Sequence, residues 1–320
     1  MRELFHEIGD ELRVVEEELK KYLQAPDPFV TRATTHLLNA GGKRLRPAFS
    51  LLGGRCADYD FERVLPLAMA LELIHMATLV HDDVVDSALK RRGVDTVKAL
   101  WGDQVSMHVG DYLFARSLVL ISVYTEPLVK RVLAETSVQM CEGEILQVVT
   151  AFSTGQSIKD YFYRIKRKTA LLIAASFQLG AVVCGAGEDV SGPLRRYGYN
   201  LGMAFQITDD ILDMVADQKE LGKPIGSDLR QGIFTLPVLY ALERSPCRDR
   251  LLGLISDPRK SEEGIKEAVD LVKECGGFAF AGQVVRKFIA RAKRELAFLP
   301  PRPVKKILEE VADFIFARRS

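Results

Sequence analysis

The sequence is poor in the features that mark thiolate-metal, disulfide and nucleotide-loop proteins. Its five cysteines, Cys56, Cys141, Cys184, Cys247 and Cys275, are odd in number, and no two stand as Cys-x-x-Cys. That excludes a zinc ribbon and a paired disulfide framework, and fits free thiols in a reducing compartment. Net charge is nearly absent, with 44 Lys and Arg against 43 Asp and Glu. That balance argues against a nucleic-acid binder working by bulk positive field, and no nucleic-acid partner is expected. No Walker loop is present, because Gly42-Lys43-Arg44 and Gly222-Lys223-Pro224 lack the Ser or Thr that must follow Gly-Lys. The N-terminus, MRELFHEIGDELRVVEEELKK, is charged and has no apolar core, so no secretory signal and a cytoplasmic location are expected. Uncharged runs are scarce too. Thr169–Gly187 spans 19 residues without formal charge but holds Ser176, Gln178 and three glycines. A buried central helix is expected there, with no membrane anchor.

What is present is helical. Hydrophobic residues make up 48% and charged residues 27%, a globular profile. Asp27-Pro28 reads as an N-cap followed by proline at the first helical position, and Gly41-Gly42 as a stop. Apolar-periodic stretches run at 43–57, 62–88, 103–122, 127–152, 157–184 and 190–216. Shorter ones follow at 234–244, 261–274, 277–297 and 302–318, with irregular links near 90–102 and 217–233. Strand-like alternation is nearly absent. An all-α chain with a single domain over 1–320 is expected, since no linker divides it.

One word occurs twice inside apolar helical stretches. Asp82-Asp83-Val84-Val85-Asp86 and Asp209-Asp210-Ile211-Leu212-Asp213 stand 127 residues apart. Residues i and i+4 share a helix face, so Asp82 pairs with Asp86 and Asp209 with Asp213. Like charges at that spacing destabilise a helix unless a cation joins them. Oxygen ligands without Cys or His neighbours favour Mg²⁺, which keeps waters and bridges carboxylate to substrate phosphate. A single copy would read as a solvated acidic turn; two in matching contexts point to a metal site.

Basic groups accompany both words. Gly42-Lys43-Arg44-Leu45-Arg46-Pro47 places three cations at a helix start, where free N–H groups and the helix dipole also attract an anion. Lys90-Arg91-Arg92-Gly93 follows the first aspartate word. Arg164, Lys166, Arg167 and Lys168 precede the uncharged helix, and Lys223 follows the second word. Acidic clusters flanked by cations are what a polyphosphate–metal site requires. Glu72-Leu73-Ile74-His75 matches the Glu-x-x-His word of di-iron bundles, but those sites need it on two core helices, and its other copy, Glu3-Leu4-Phe5-His6, stands in the charged N-terminal stretch. His75 reads as a phosphate contact or as a hydrogen-bonded core histidine.

These motifs, in this order, resemble the trans-isoprenyl diphosphate synthases of the polyprenyl synthetase family. The likeness runs from Gly41 to about Pro237 and includes Lys168-Thr169, Phe205-Gln206, Gly222-Lys223 and Thr235-Leu236-Pro237. It implies one bundle of long helices around a deep central cavity, and a homodimer. It implies Mg²⁺ bound by Asp82, Asp86 and Asp209, with Asp83, Asp210 and Asp213 in support. An allylic diphosphate such as farnesyl diphosphate would meet Arg91, Lys168, Thr169, Gln206 and Lys223. Isopentenyl diphosphate would meet Lys43, Arg46, His75 and Arg92. Asp82, Asp86, Lys168, Gln206 and Asp209 would carry the reaction. Short-chain members place bulky aromatics just before the first aspartate word; here stand Ala77 and Thr78, which implies a long, octaprenyl-type product, with a geranylgeranyl-type product the alternative. One departure is Ile233, where the family has a lysine before Thr-Leu-Pro; Arg230 is the cation nearest in sequence. A class I terpene cyclase shares an aspartate-rich metal site but needs no second diphosphate pocket. A regulatory subunit of a two-component synthase would be free to lose metal ligands, and both aspartate words here are whole.

Overall fold

The computed structural model describes residues 5–215, 226–244, 246, 248–256 and 261–317. The helices are α1 (Gly9–Tyr22), α2 (Pro28–Asn39), α3 (Leu45–Gly54), α4 (Phe61–Val85), α5 (Val97–Ser122), α6 (Pro127–Thr150), α7 (Ile158–Ile165) and α8 (Leu171–Val183). They continue as α9 (Glu188–Val215), α10 (Ser227–Arg230), α11 (Leu236–Arg244), α12 (Arg248–Ser256), α13 (Glu262–Glu274), α14 (Gly277–Glu295) and α15 (Val304–Ala317). The all-α expectation holds. The strands among the described residues are β1 (Lys90–Arg91) and β2 (Val94–Asp95), a two-residue hairpin that the sequence reading missed. Its turn residues Arg92 and Gly93 have φ of 53° and 81°, the positive values that a tight hairpin turn demands.

The chain packs as two compact units. The first takes the described residues up to Glu135 together with Ala175–Arg195 and Phe298–Leu308. Its centre is α4, apolar on nearly all sides, with Leu67, Ala68, Leu71, Leu73 and Met76 at or near zero exposure. The Asp60 side chain caps α4 by accepting from Glu62 N at 3.0 Å. Val109 and Leu113 of α5 and Val15 and Leu19 of α1 join the same apolar cluster as Leu73 and Ala77. Asp27 caps α2 as expected, accepting from Phe29 N at 2.7 Å with Pro28 in the first turn. Helix α5 begins at Val97, earlier than the expected 103, and is interrupted at Gly102, whose φ is 84°.

The second unit takes Thr136–Ala174, the described residues of Arg196–Ala297, and those from Glu309 on. A capping box starts α7: Ser157 Oγ accepts from Asp160 N at 3.2 Å, and Asp160 Oδ2 accepts from Ser157 N at 3.0 Å. One π-turn, Lys166–Ala170, then joins α7 to α8. The uncharged segment becomes α8 and is buried, with Phe177, Leu179 and Ala181 at zero exposure. By length and composition α4 is the helix apolar enough to cross a membrane among the described residues, and 67% of its most apolar window is buried in the protein.

Within the first unit α3 and the C-terminal part of α8 touch backbone to backbone. A Cβ on Gly53 would strike the Phe177 carbonyl, and one on Gly180 would strike the Ser50 carbonyl. The Phe49 and Phe177 rings stack beside this contact at 4.6 Å. Gly180→Ala should therefore cost about 1–3 kcal/mol by overpacking, read as a lower urea midpoint; an unchanged midpoint would show that the helices can part.

Candidate active site

The first aspartate word closes α4. Asp82 and Asp86 are half-buried, and Asp86 is the C-cap residue, its N–H donating to Asp82 O at 2.8 Å. Asp83 points elsewhere. It is 2% exposed and accepts from Arg91 Nε at 2.7 Å. Burial pushes its carboxyl above the ordinary value, and Arg91 opposes that shift. The 100° turn between neighbours explains the division: residues i and i+4 share one face while i+1 faces the interior. His81, beside Asp82, turns toward α5, where its Nε2 lies 3.4 Å from Asp111. The outward ligand set is thus oxygen only, the set that suits Mg²⁺.

Cations gather on the same unit. Arg46 Nη1 lies 3.2 Å from His75 Nε2. Burial first, then Arg46, Arg92, Arg91 and Arg44, hold the imidazole well below its usual range and therefore neutral. A neutral ring accepting at Nε2 carries its proton on Nδ1. His75 thus orients Arg46 and is no cation itself. Arg92 sits at the tip of the β1–β2 hairpin and donates to Gly41 O. Lys43 is exposed, in the loop between α2 and α3. Lys43, Arg46, His75, Arg91 and Arg92 all belong to the first unit. Ala77 is 2% exposed and packed with Leu73, Val109 and Leu113, whereas Thr78 is half-buried with Oγ1 donating to His75 O at 2.8 Å. Of the two positions Thr78 is the more exposed.

The second unit repeats the pattern. Asp209 and Asp213 are half-buried, while Asp210 is 4% exposed. Both Asp210 oxygens are engaged: Tyr161 Oη donates to Oδ2 at 2.6 Å and Gln206 Nε2 to Oδ1 at 2.8 Å. Thr169 Oγ1 donates to Gln206 Oε1 at 2.6 Å, so Thr169, Gln206, Asp210 and Tyr161 form one chain. Burial raises Asp210 to about 7; Asp228 adds to the rise, and the Tyr161 and Gln206 bonds oppose it. Asp213 Oδ2 accepts from Asp228 N at 3.2 Å, tying the word to α10. The π-turn carries Lys168 and Thr169, a feature often found at functional positions. Lys168 Nζ lies 3.0 Å from Glu144 Oε2.

Several expectations need adjusting. Asp83 and Asp210, expected in support of the metal, hold Arg91, Tyr161 and Gln206. Arg164 is 6% exposed and donates to Gln156 Oε1 and Phe234 O, both at 2.8 Å, so it braces the chain before Thr235. Ile233 N donates to Asp228 O at 2.8 Å, and Arg230, the cation nearest it in sequence, lies 4.0 Å from Glu262. Lys223, with Gly222, lies outside the described residues. Tyr161 and Glu144 were missed because their partners lie 49 and 24 residues away with no motif joining them. Among the described residues no three His, Cys, Asp or Glu side chains converge into a ready metal cage. Mg²⁺ sites built on one or two carboxylates plus substrate phosphates need none.

The polyprenyl synthetase family model matches residues 27–272. The chain is 41% identical over 312 residues to the heptaprenyl diphosphate synthase component 2 of Bacillus subtilis (strain 168), covering 98% of this chain and 89% of that protein. It is 36% identical to the nonaprenyl diphosphate synthase of Mycobacterium tuberculosis (strain ATCC 25618 / H37Rv), covering 95% and 91%. The crystal structure of a polyprenyl synthase from Caulobacter crescentus CB15, complexed with calcium and isoprenyl diphosphate, matches with TM-score 0.93 at 35% identity over 99% of this chain and 97% of that one.

Asp210 keeps its proton to about pH 7 when folded, but only to the ordinary carboxylate range when unfolded. Its stabilising contribution is full below about pH 4 and is lost as pH rises through about 7. In metal-free buffer the non-titrating Asp210→Asn should therefore gain on wild type by a few kcal/mol across that interval in urea unfolding. A difference independent of pH would show Asp210 ionised throughout.

Proposed function

This chain belongs to the polyprenyl synthetase family and is a prenyltransferase of the all-α isoprenoid synthase fold; on that premise we propose that it condenses isopentenyl diphosphate with an allylic diphosphate, Mg²⁺-dependently, to a long-chain polyprenyl diphosphate. The observation that carries this reading is the division within both aspartate words. In each, an i, i+4 carboxylate pair stays half-exposed while the middle carboxylate is buried and held by protein donors. Asp82, Asp86, Asp209 and Asp213 are the residues that would hold Mg²⁺. Bound there, the metal would supply charge neutralisation for the diphosphate that leaves. Asp83 and Asp210 position the words rather than ligate.

The chain's own residues do the rest. Arg91, Lys168, Thr169, Gln206 and Lys223 bind the allylic diphosphate. Lys43, Arg46 and Arg92 bind isopentenyl diphosphate, with His75 orienting Arg46. Preorganised cations of this kind stabilise charge as it develops on a leaving group. The adduct loses its proton to the departing diphosphate, since the accepting nitrogen of His75 is committed to Arg46. Ala77 and Thr78, standing where short-chain members carry bulky aromatics, leave room for a long product. The relatives named for heptaprenyl and nonaprenyl products favour a long chain over a geranylgeranyl-type one.

A second copy of the chain is the proposed partner. It would cover the exposed apolar residues Leu100, Met107, Leu118 and Val119 of α5. The Bacillus relative's name, component 2, favours a second reading, in which this chain is one subunit of a two-component synthase and needs a partner of different sequence. A cytoplasmic location is proposed with either reading.

Purified chain with Mg²⁺, farnesyl diphosphate and isopentenyl diphosphate should yield a linear polyprenyl diphosphate. A cyclic hydrocarbon would refute the reading, and activity only after adding a second polypeptide would establish the two-component form. Asp82→Asn should lower kcat by about 10²–10³. Thr78→Phe should shorten the product seen by chromatography; an unchanged length would remove Thr78 from that role. Ala77→Phe, at a packed position, should also cost about 1–3 kcal/mol of stability.

A further inference from the structure

The Glu-x-x-His word on α4 is only half used by the proposed reaction, through His75. Glu72 is among the most deeply buried charged residues described, at 1% exposure. Its Oε1 lies 3.2 Å from Nη1 of Arg44, itself 5% exposed. The same guanidinium donates to Gly41 O at 3.2 Å and to Leu38 O at 2.8 Å. Glu16 Oε2 stands 3.4 Å from Arg44 Nε. The loop that Arg44 grips is conformationally expensive. Gly41 and Gly42 have φ of 82° and 150°, and Arg44 itself is left-handed at φ 47°, ψ 42°. A Cβ on Gly42 would stand 2.6 Å from Arg92 Nη1 and 2.7 Å from Arg44 Nη1, so the two guanidiniums close directly on this backbone.

The pair makes a poor case as a pure stabilising device. Glu72 Oε2 and Arg44 Nε are buried without a hydrogen-bond partner, and a buried ion pair with unsatisfied atoms returns little net stability. What it fixes is geometry. Glu72 and His75 share one face of α4 at i, i+3, and each receives one arginine of the loop: Arg44 goes to Glu72 and Arg46 to His75. With Arg44 turned inward, its neighbour Lys43 is left exposed. Arg44, Arg46, Arg91 and Arg92 crowd around His75. Two of the four are committed to buried carboxylates, Arg91 to Asp83 and Arg44 to Glu72.

We propose that Glu72 is a positioning residue: by holding Arg44 inward it sets the Gly41–Arg46 loop so that Lys43 and Arg46 are placed for the diphosphate of isopentenyl diphosphate. The inference rests on the assignment of that substrate to Lys43, Arg46 and Arg92 made above. Glu72→Gln keeps the shape and removes the charge. It should raise KM for isopentenyl diphosphate about tenfold, the scale of a displaced binding group, and leave KM for the allylic diphosphate within about twofold. Because a lone buried Arg44 will also destabilise the chain, a second variant carries Glu72→Met and Arg44→Met together. It should restore the melting temperature without restoring KM for isopentenyl diphosphate. A double variant that recovers both, or a Glu72→Gln enzyme whose two KM values are unchanged or rise equally, would overturn the proposal. Titration calorimetry of isopentenyl diphosphate in EDTA repeats the comparison without turnover. Weaker binding by Glu72→Gln supports the proposal and equal binding refutes it. A wild type that binds isopentenyl diphosphate but forms no product fails the synthase reading alone; one that binds none fails both.

Discussion

Crowded like charge on apolar helices is the constraint around which both aspartate words are built. Three carboxylates within five residues cannot all face one way without heavy repulsion, nor can any be buried without a partner. The helix resolves this by its own pitch. The outer two share a face and remain half-exposed, and the middle one turns inward to a donor. In α4 that donor is Arg91, reached through the hairpin; in α9 the donors are Tyr161 and Gln206, reached through α7 and the helix's own preceding turn. The donors differ because the surroundings differ. A guanidinium partly offsets the burial cost for Asp83, whereas neutral donors leave Asp210 with a much-raised affinity for its proton.

The same economy of charge governs the cations. Four arginines close to one histidine would repel one another and any second cation. Arg91 and Arg44 carry buried carboxylate partners, and Arg44 also grips the carbonyls of Leu38 and Gly41. Burial first, and then all four arginines, hold His75 neutral, and a neutral imidazole can accept from Arg46 where an imidazolium could not. The basic loop and the Glu-x-x-His word are therefore one device. The loop supplies cations, and α4 receives two of them, Arg44 at Glu72 and Arg46 at His75.

Much of this was legible in the sequence because it is local. The helical periodicity, the Asp27-Pro28 start, the buried character of the uncharged stretch and the i, i+4 division of the aspartates depend only on neighbours a turn or two away. Other features were not local. The hairpin at 90–95 is two residues per strand, too short for any alternation to register. Arg44 sits among three cations that look alike in the sequence, and only its left-handed backbone and the depth of Glu72 separate it from Lys43 and Arg46. Tyr161 reads as an ordinary aromatic of an amphipathic helix until Asp210 is brought against it. Arg164, read from the sequence with the cations near Lys168, is buried because Gln156 and the Phe234 carbonyl claim it.

The central claim is that each aspartate word separates metal-holding from positioning carboxylates. Mn²⁺ binding in the presence of inorganic pyrophosphate, followed by the loss of the free-ion paramagnetic resonance signal, tests it most directly. Asp82→Asn and Asp209→Asn should abolish pyrophosphate-dependent Mn²⁺ binding, while Asp83→Asn and Asp210→Asn, if folded by circular dichroism, should retain most of it. Equal loss in all four variants would contradict the account.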